Sequence, residues 1–356
     1  MKKILVDCRL INNSGIGVYI KSMLEELREY SDIHVSILVM YQENKVEELC
    51  DLINGDVIYT RISRFNPLNL FIFNKILSGF DFYFVPFLSI LPVRIFSGKV
   101  KIISTVHDLC PIKVKKAFDW RVIIVYYIIM YLQLKFSNSI IAISNFTKTE
   151  IIDIYGKQYS NKITVIYNAA RIIPSGQSLI KECDFKSEIY GICVGNIKPH
   201  KNITPLISYW KKNKIKVKLL FVGESSGFYT SDISSMLLTN EYVSFTGFIT
   251  DEELHEYYKG ASFFIYPSLY EGFGLPLLEA MSYKLKIFAS DIPVFHEIAN
   301  DSIEYFSPEN FSGLKEKIEK FIASSREEKI SYNYESILNK YSWRDSVKLF
   351  VHDLLI

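Results

Sequence analysis

The chain has 356 residues, of which 49% are apolar and 22% charged, and its formal net charge is only +2. That length exceeds what one hydrophobic core commonly serves, so two domains of ordinary size are expected and disorder is excluded. The near-neutral balance offers no global field for nucleic acid. The five cysteines, Cys8, Cys50, Cys110, Cys183 and Cys193, are widely spaced and form no Cys-x-x-Cys pair, which points to reduced thiols in the cytosol.

The N-terminal run ends too soon, at Asp7, for a secretory signal and reads as a first strand at residues 4–6. Further strand candidates follow at 35–40, 82–85, 102–105 and 139–143. The series then restarts at 190–194, 218–222, 243–246, 263–266 and 287–289. Strands alternating with helical patterns are the signature of βαβ units on parallel sheets. A Pro-Ser-Gly turn and little periodicity make 168–188 a linker between domains 1–170 and 189–340. In the closing segment, 341–356, Val347, Phe350, Val351 and Leu354 give a helix one apolar face, which must pack on something. Residues 122–132 are apolar throughout between Arg121 and Lys135, a run too short for a bilayer, which needs about 20 residues. Two readings stay open: a buried core helix, or a helix whose apolar side meets lipid with help from Lys113, Lys115, Lys116 and Trp120.

The strongest local signal is Tyr266-Pro-Ser-Leu-Tyr-Glu271-Gly272-Phe273-Gly274-Leu275-Pro276-Leu-Leu-Glu279-Ala280-Met281, with a strand ending near Tyr266. Its glycines let the backbone approach a ligand closely, and Pro276 suits a helix start whose first amides would face an anion. Glu271 and Glu279 can edge the same mouth. Ionised carboxylates only accept hydrogen bonds, which suits sugar and ribose hydroxyls. The plainer alternative, acids that complement a helix dipole, asks for less than two carboxylates around a Gly-x-Gly loop.

A second segment, Gly195-Asn196-Ile197-Lys198-Pro199-His200-Lys201-Asn202, follows the first strand of the second half, where open α/β sheets bind ligands. Lys198 and Lys201 are candidates to neutralise a diphosphate there, or simply solvated lysines. His107-Asp108 ends a first-half strand and offers either a polar contact and proton-transfer group or a structural hydrogen bond. Ser14-Gly15-Ile16-Gly17 lacks the third glycine and the later acid of a dinucleotide fingerprint, and reads as a tight turn allowing close approach. His34, His200, His255, His296 and His352 show no metal-ligand spacing and no Asp-x-Asp occurs, so no metal site is expected.

These segments, together with Asp7-x-Arg9, Ile141-Ala-Ile-Ser144, Val165-Ile-Tyr-Asn168 and Ser290-Asp291-Ile-Pro with Glu297, agree in order and spacing with one family. The chain resembles glycosyltransferase family 4, the retaining enzymes of the GT-B fold, and within it the mannosyltransferase-like branch of bacterial surface-polysaccharide assembly (O-antigen or capsule). The resemblance implies an α/β protein of two Rossmann-like domains, with parallel sheets facing a central cleft and the C-terminal helix crossing back to the first domain. It implies retaining transfer of a hexosyl residue, mannosyl from GDP-mannose in the first instance, to a lipid-linked oligosaccharide. No metal or cofactor is expected, and the place of action is the cytoplasm, at or near the inner face of the membrane.

Carried over residue by residue, Glu279 would hold the donor ribose and Glu271 the donor sugar. The amides of Gly272, Phe273, Gly274 and Leu275 would face the diphosphate. Lys201 would be its cation, helped by Lys198, and His107 would sit beside the sugar at the reacting centre. Gly15 and Gly17 would line the cleft. Asn196, Val18 and Ala169 depart from the Arg, Arg and Gly common among relatives, so Asn196 in the donor loop adds no charge of its own. A nucleotide-sugar epimerase or phosphorylase on the same fold, or a non-catalytic partner, are the rival readings.

Overall fold

Short runs dense in Ile, Val, Leu and Phe are suited to strands buried on both faces, and in a computed structural model of the chain they form two parallel sheets. The structure describes every residue except 42–45, 72–75, 93–98, 171–188, 224–240, 326–331 and 356, so the linker expected over 168–188 lies from residue 171 onward outside the described residues.

The first sheet contains β1 (Lys2–Asp7), β2 (Ile33–Met40), β3 (Val57–Thr60), β4 (Phe82–Val85), β5 (Lys101–Val106), β6 (Ser139–Ala142) and β7 (Ile163–Val165), in the order β3-β2-β1-β4-β5-β6-β7. The second contains β8 (Tyr190–Val194), β9 (Lys218–Val222), β10 (Val243–Phe245), β11 (Phe263–Tyr266), β12 (Lys286–Ser290) and β13 (Glu304–Phe306), in the order β10-β9-β8-β11-β12-β13. Both are doubly wound. The order reverses between β1 and β4 in one and between β8 and β11 in the other, and ligands of such sheets sit outside the carboxyl ends of the strands at that reversal. Gly195 follows β8 and Glu271 follows β11, so the two strongest sequence segments of the second half flank its switch point.

The chain divides into one unit formed by Met1–Ala169 with Tyr341–Ile356 and a second formed by Ala170–Lys340. The final helix therefore crosses back to the first unit. The principal helices are α1 (Ser14–Leu27), α2 (Trp120–Phe136), α3 (Asn145–Tyr155), α4 (Ile203–Lys212), α5 (Asp251–Gly260), α6 (Leu275–Ser282), α7 (Pro293–Ala299), α8 (Leu314–Ser325) and α9 (Trp343–Leu354). On α9, Val347 and Phe350 are buried, the Phe350 ring lies 4.8 Å from that of Phe84 on β4, and Ser346 Oγ donates to the Tyr167 carbonyl at 2.7 Å. The second unit's core packs Ile207 and Trp210 of α4 and Phe321 of α8 with Phe263 and Phe288 of the sheet.

Helix α2 has two different sides. Ile129, Met130, Gln133 and Leu134 are buried, whereas Trp120, Val122, Ile124, Val125, Tyr127, Ile128 and Tyr131 are all at least 40% exposed. The run that reads as uniformly apolar is thus only half a core helix. Lys113, grouped in the sequence with Lys115 and Lys116, is instead paired with Glu150 at 2.8 Å, whereas the latter two join no ion pair among the described residues. No helix among the described residues is long and apolar enough to cross a membrane.

Gly15 and Gly17, expected to form a tight turn, instead lie in the first turn of α1, because the chain is already helical from Ser14, and the two glycines differ in their surroundings. A Cβ on Gly17 would lie 2.1 Å from the Ile11 carbonyl oxygen, while one on Gly15 would meet nothing within 4 Å. Gly17→Ala is therefore expected to destabilise the protein by about 1–3 kcal/mol, as overpacking does. Gly15→Ala, in a helical position with room, is expected to stabilise it by roughly 0.4–1 kcal/mol. Thermal unfolding of the pair checks this, and equal effects would contradict it.

Candidate active site

At the carboxyl end of β8 the chain turns through Gly195, whose φ of +143° favours glycine, and a Cβ there would lie 3.8 Å from the Cε of Lys201. Gly223, at the end of β9, packs still closer: its Cβ would stand 2.4 Å from the Gly195 carbonyl oxygen. Two glycine turns are thus stacked backbone on backbone. A short 3₁₀ turn, Pro199–Lys201, then ends on Asn202, which is left-handed at φ +58° and anchors its amide on the Pro308 carbonyl at 2.7 Å. This returns Lys201 toward the sheet edge.

There Lys201 Nζ meets Glu271 Oε1 at 2.6 Å and lies 3.5 Å from the Tyr266 hydroxyl, while Ser268 Oγ donates to the same Glu271 oxygen at 2.6 Å. The two loops are also latched by the Leu269 amide on the His200 carbonyl at 2.7 Å. Burial alone would push the Glu271 carboxyl up. The Lys201 ammonium, with His200 and the hydrogen bonds from Lys201 and Ser268, overcomes this and holds it below the ordinary carboxylate range. Gly274, at φ +110°, then opens α6, with Pro276 in its first turn. On the next turn, Glu279 accepts from the hydroxyl of the fully buried Tyr258 at 3.0 Å.

The structure therefore brings Lys201, Glu271 and Gly195 together and sets Gly272, Phe273, Gly274 and Leu275 between Glu271 and Glu279, with Phe273 buried. Asn196 is half-buried on the turn, whereas Lys198 is exposed and joins no ion pair among the described residues. Tyr266, Ser268 and Tyr258 hold the three charged groups; the first two stand in the Tyr266–Met281 block without a role assigned from the sequence, and Tyr258 lies outside it. A Ser-x-x-Glu spacing in Ser268–Glu271 is the one local signal that could have found any of them.

His107, Gly15 and Gly17 belong to the first unit. His107 follows β5, and its Nε2 lies 2.8 Å from the Pro86 carbonyl beyond β4. A carbonyl only accepts, so Nε2 carries the proton. Burial pushes the imidazole down, outweighing that hydrogen bond and the charge of Asp108, so the ring is neutral at pH 7 with Nδ1 as an acceptor. The edge of Tyr19, 4.9 Å away, and through it Trp343 of α9 at 5.6 Å, fix the ring's place. Asp7 and Arg9 form a buried knot: Arg9 bonds both Asp7 oxygens, the Ile62 carbonyl and Asn69, while the Tyr83 hydroxyl donates to Asp7 at 2.8 Å.

Two doubly wound units, one carrying a lysine, glycine turns and paired carboxylates at its switch point, define the class of the two-domain nucleotide-sugar transferases. The family model Glycosyltransferase Family 4 matches residues 13–171 and that of Glycosyl transferases group 1 matches residues 180–336. With one model on each unit, the chain belongs to the glycosyltransferases of family 4 with the GT-B fold, and it is an enzyme of that class. It is 26% identical over 338 residues to the O-antigen chain mannosyltransferase RfbU of Salmonella typhimurium, spanning 86% of this chain and 87% of that one. It is also 31% identical over 173 residues to the serotype-specific mannosyltransferase WbdA of Escherichia coli, spanning 46% of this chain but 21% of the much longer relative. The crystal structure of Anabaena HepE in complex with UDP-glucose superposes with a TM-score of 0.76 over 99% of this chain and 100% of that one, at 15% identity, a likeness of fold.

Because the Glu271 carboxyl titrates lower in the fold than in the unfolded chain, its ionised form contributes stability above the ordinary carboxylate range. That contribution is lost as pH falls through this range to the lowered folded value. The melting-temperature gap between wild type and Glu271→Gln is expected to be widest near neutral pH and to close in acid. A gap that grows in acid would reverse the assigned sign.

Proposed function

We propose that the enzyme transfers a mannosyl residue from GDP-mannose to a lipid-linked saccharide acceptor in cell-surface polysaccharide assembly, with retention of configuration and without a divalent cation. Mannosyl transfer is supported by the likeness to an O-antigen chain mannosyltransferase, aligned along most of both chains, and to a serotype-specific mannosyltransferase. The single observation that carries the site is the Lys201–Glu271 pair beside the start of α6.

Breaking the donor's anomeric bond places negative charge on the departing diphosphate and positive charge on the sugar. Lys201 and the first amides of α6 are fixed groups for the former, and such preorganised donors typically contribute about 3 to 4 kcal/mol each. Glu271 is a carboxylate held ionised, an acceptor for sugar hydroxyls and a counter-charge to the sugar. Glu279, one turn on, suits a ribose. Among the described residues, apart from Glu271, whose charge is engaged by Lys201, none is placed as a covalent nucleophile, which favours departure and attack on one face of the sugar. In the first unit, the Nδ1 of neutral His107 is an acceptor for a hydroxyl.

Three measurements test this reading. GDP-mannose is expected to raise the melting temperature more than UDP-sugars do, since a ligand binding the folded state stabilises it. Turnover is expected to survive excess chelator and to yield an α-linked product. Glu279→Ala should mainly raise the donor KM, and Glu271→Gln should lower kcat by roughly 10 to 150-fold, the worth of one hydrogen bond to a charged group. Protection by UDP-sugars alone would overturn the donor, and wild-type kinetics in both folded variants would overturn the site.

The exposed side of α2 supports peripheral attachment to an anionic lipid surface. Seven large apolar residues are exposed on this helix, no acid interrupts it, Lys115 and Lys116 precede it, and Arg121 and Lys135 stand in its first and last turns. Val125→Glu with Ile128→Glu, both at exposed positions, should reduce co-sedimentation with phosphatidylglycerol vesicles several-fold while donor hydrolysis is retained. Undiminished co-sedimentation of the folded variant would exclude this helix as the contact.

A further inference from the structure

We propose that Ser268 is a positioning residue that fixes Glu271 so that one carboxylate oxygen holds Lys201 while the other is presented to the donor sugar. The inference rests on the reading of Glu271 as a sugar contact and goes beyond it by naming what orients that contact.

Ser268 lies two residues past β11 and is fully buried. Its hydroxyl reaches the carboxylate three residues on, at 2.6 Å, and it does so at Oε1, the oxygen that also receives Lys201 at 2.6 Å. Two donors converging on one oxygen remove the carboxylate's freedom to turn and chelate the ammonium with both oxygens. An ionised carboxylate has about four acceptor sites, so even with Lys201 and Ser268 on Oε1 and the Tyr266 hydroxyl also bonded to the carboxylate, acceptor capacity remains for a sugar hydroxyl at Oε2. The latch from Leu269 to the His200 carbonyl keeps Ser268 and Lys201 in register, so the serine's aim does not depend on the ligand. The charged or titratable groups around the carboxylate are Lys201 and His200 on the facing loop, Tyr266 at the end of β11 and Cys193 on β8.

Ser268→Ala is expected to lower kcat roughly tenfold, the lower end for a hydrogen bond to a charged group, with the donor KM changed less than about twofold. Ser268→Thr, which keeps the hydroxyl, should recover most of the rate. The serine's hydrogen bond helps hold the Glu271 carboxyl down, so its loss should move the acid limb of the kcat profile to higher pH. The decisive measurement is the double variant: if Ser268 acts through Glu271, Ser268→Ala on a Glu271→Gln background costs nothing further. A full tenfold loss on that background, or wild-type kcat in Ser268→Ala, overturns the proposal. Should Ser268→Ala melt far below wild type, Ser268→Cys, closer in volume and a weaker donor, replaces it with the same expectations. The two readings fail separately, because a wild-type kcat in Glu271→Gln removes the sugar contact itself, whereas a slow Glu271→Gln beside a normal Ser268→Ala removes only the serine's role.

Discussion

Everything at the carboxyl edge of the second sheet is arranged around one ion pair. Lys201 and Glu271 are 2.6 Å apart, and each side chain keeps less than a fifth of its exposure. Such a pair is a poor device for stability: taking both charges from water costs several kcal/mol each, and an apolar pair of equal volume is often as stable. It is coherent as a functional device. At rest the two charges cancel, and the stacked turns at Gly195 and Gly223, the anchored Asn202 and the Leu269 latch all serve to bring the two loops to that distance. On the proposed function, an incoming diphosphate would add negative charge beside a cation already in place, whose position needs no reorganisation.

The first unit shows the complementary case, in which a motif shared with the family is structural. The Asp7-x-Arg9 spacing looks like a charged pair at a strand end, yet both residues are buried and their donors and acceptors are used up on Ile62, Asn69, Tyr83 and each other. Arg9 therefore ties the loop after β3 to the end of β1. His107 differs in kind. Its Nε2 is committed to Pro86 and its ring to Tyr19, which leaves one nitrogen in acceptor form.

How legible this was from the sequence follows from burial. The central strands were readable because strands such as β4 and β11 are buried at every residue and so appear as unbroken apolar runs. The strands that were not read, β3, β7 and β13, are all at sheet edges, are three or four residues long and keep only one buried residue each. An edge strand has a neighbour on one side only and carries less signal, yet β10, an edge strand just as short and with one buried residue, is read at 243–246, so edge position weakens the pattern without erasing it. The site divides the same way. Glu271, Glu279 and Lys201 stand in local motifs with a glycine or helix-start context. Tyr258 reaches Glu279 from α5, 21 residues earlier, and no spacing rule connects them.

Helix α2 marks the limit of periodicity as an argument. A helix apolar all round tells nothing about which side the sheet will cover, because every register buries apolar residues equally well. What decides is the neighbour: the Gln133 side chain accepts the Ser89 amide at 2.8 Å inside the core, and the Tyr126 hydroxyl reaches the Asp108 carbonyl at 2.7 Å, which fixes the helix's rotation. Once these polar contacts set that rotation, Ile124, Val125 and Ile128 are turned outward. Two hydrogen bonds thus act together with the packing of Met130 and Leu134 in the core to set a rotation that leaves an apolar surface exposed.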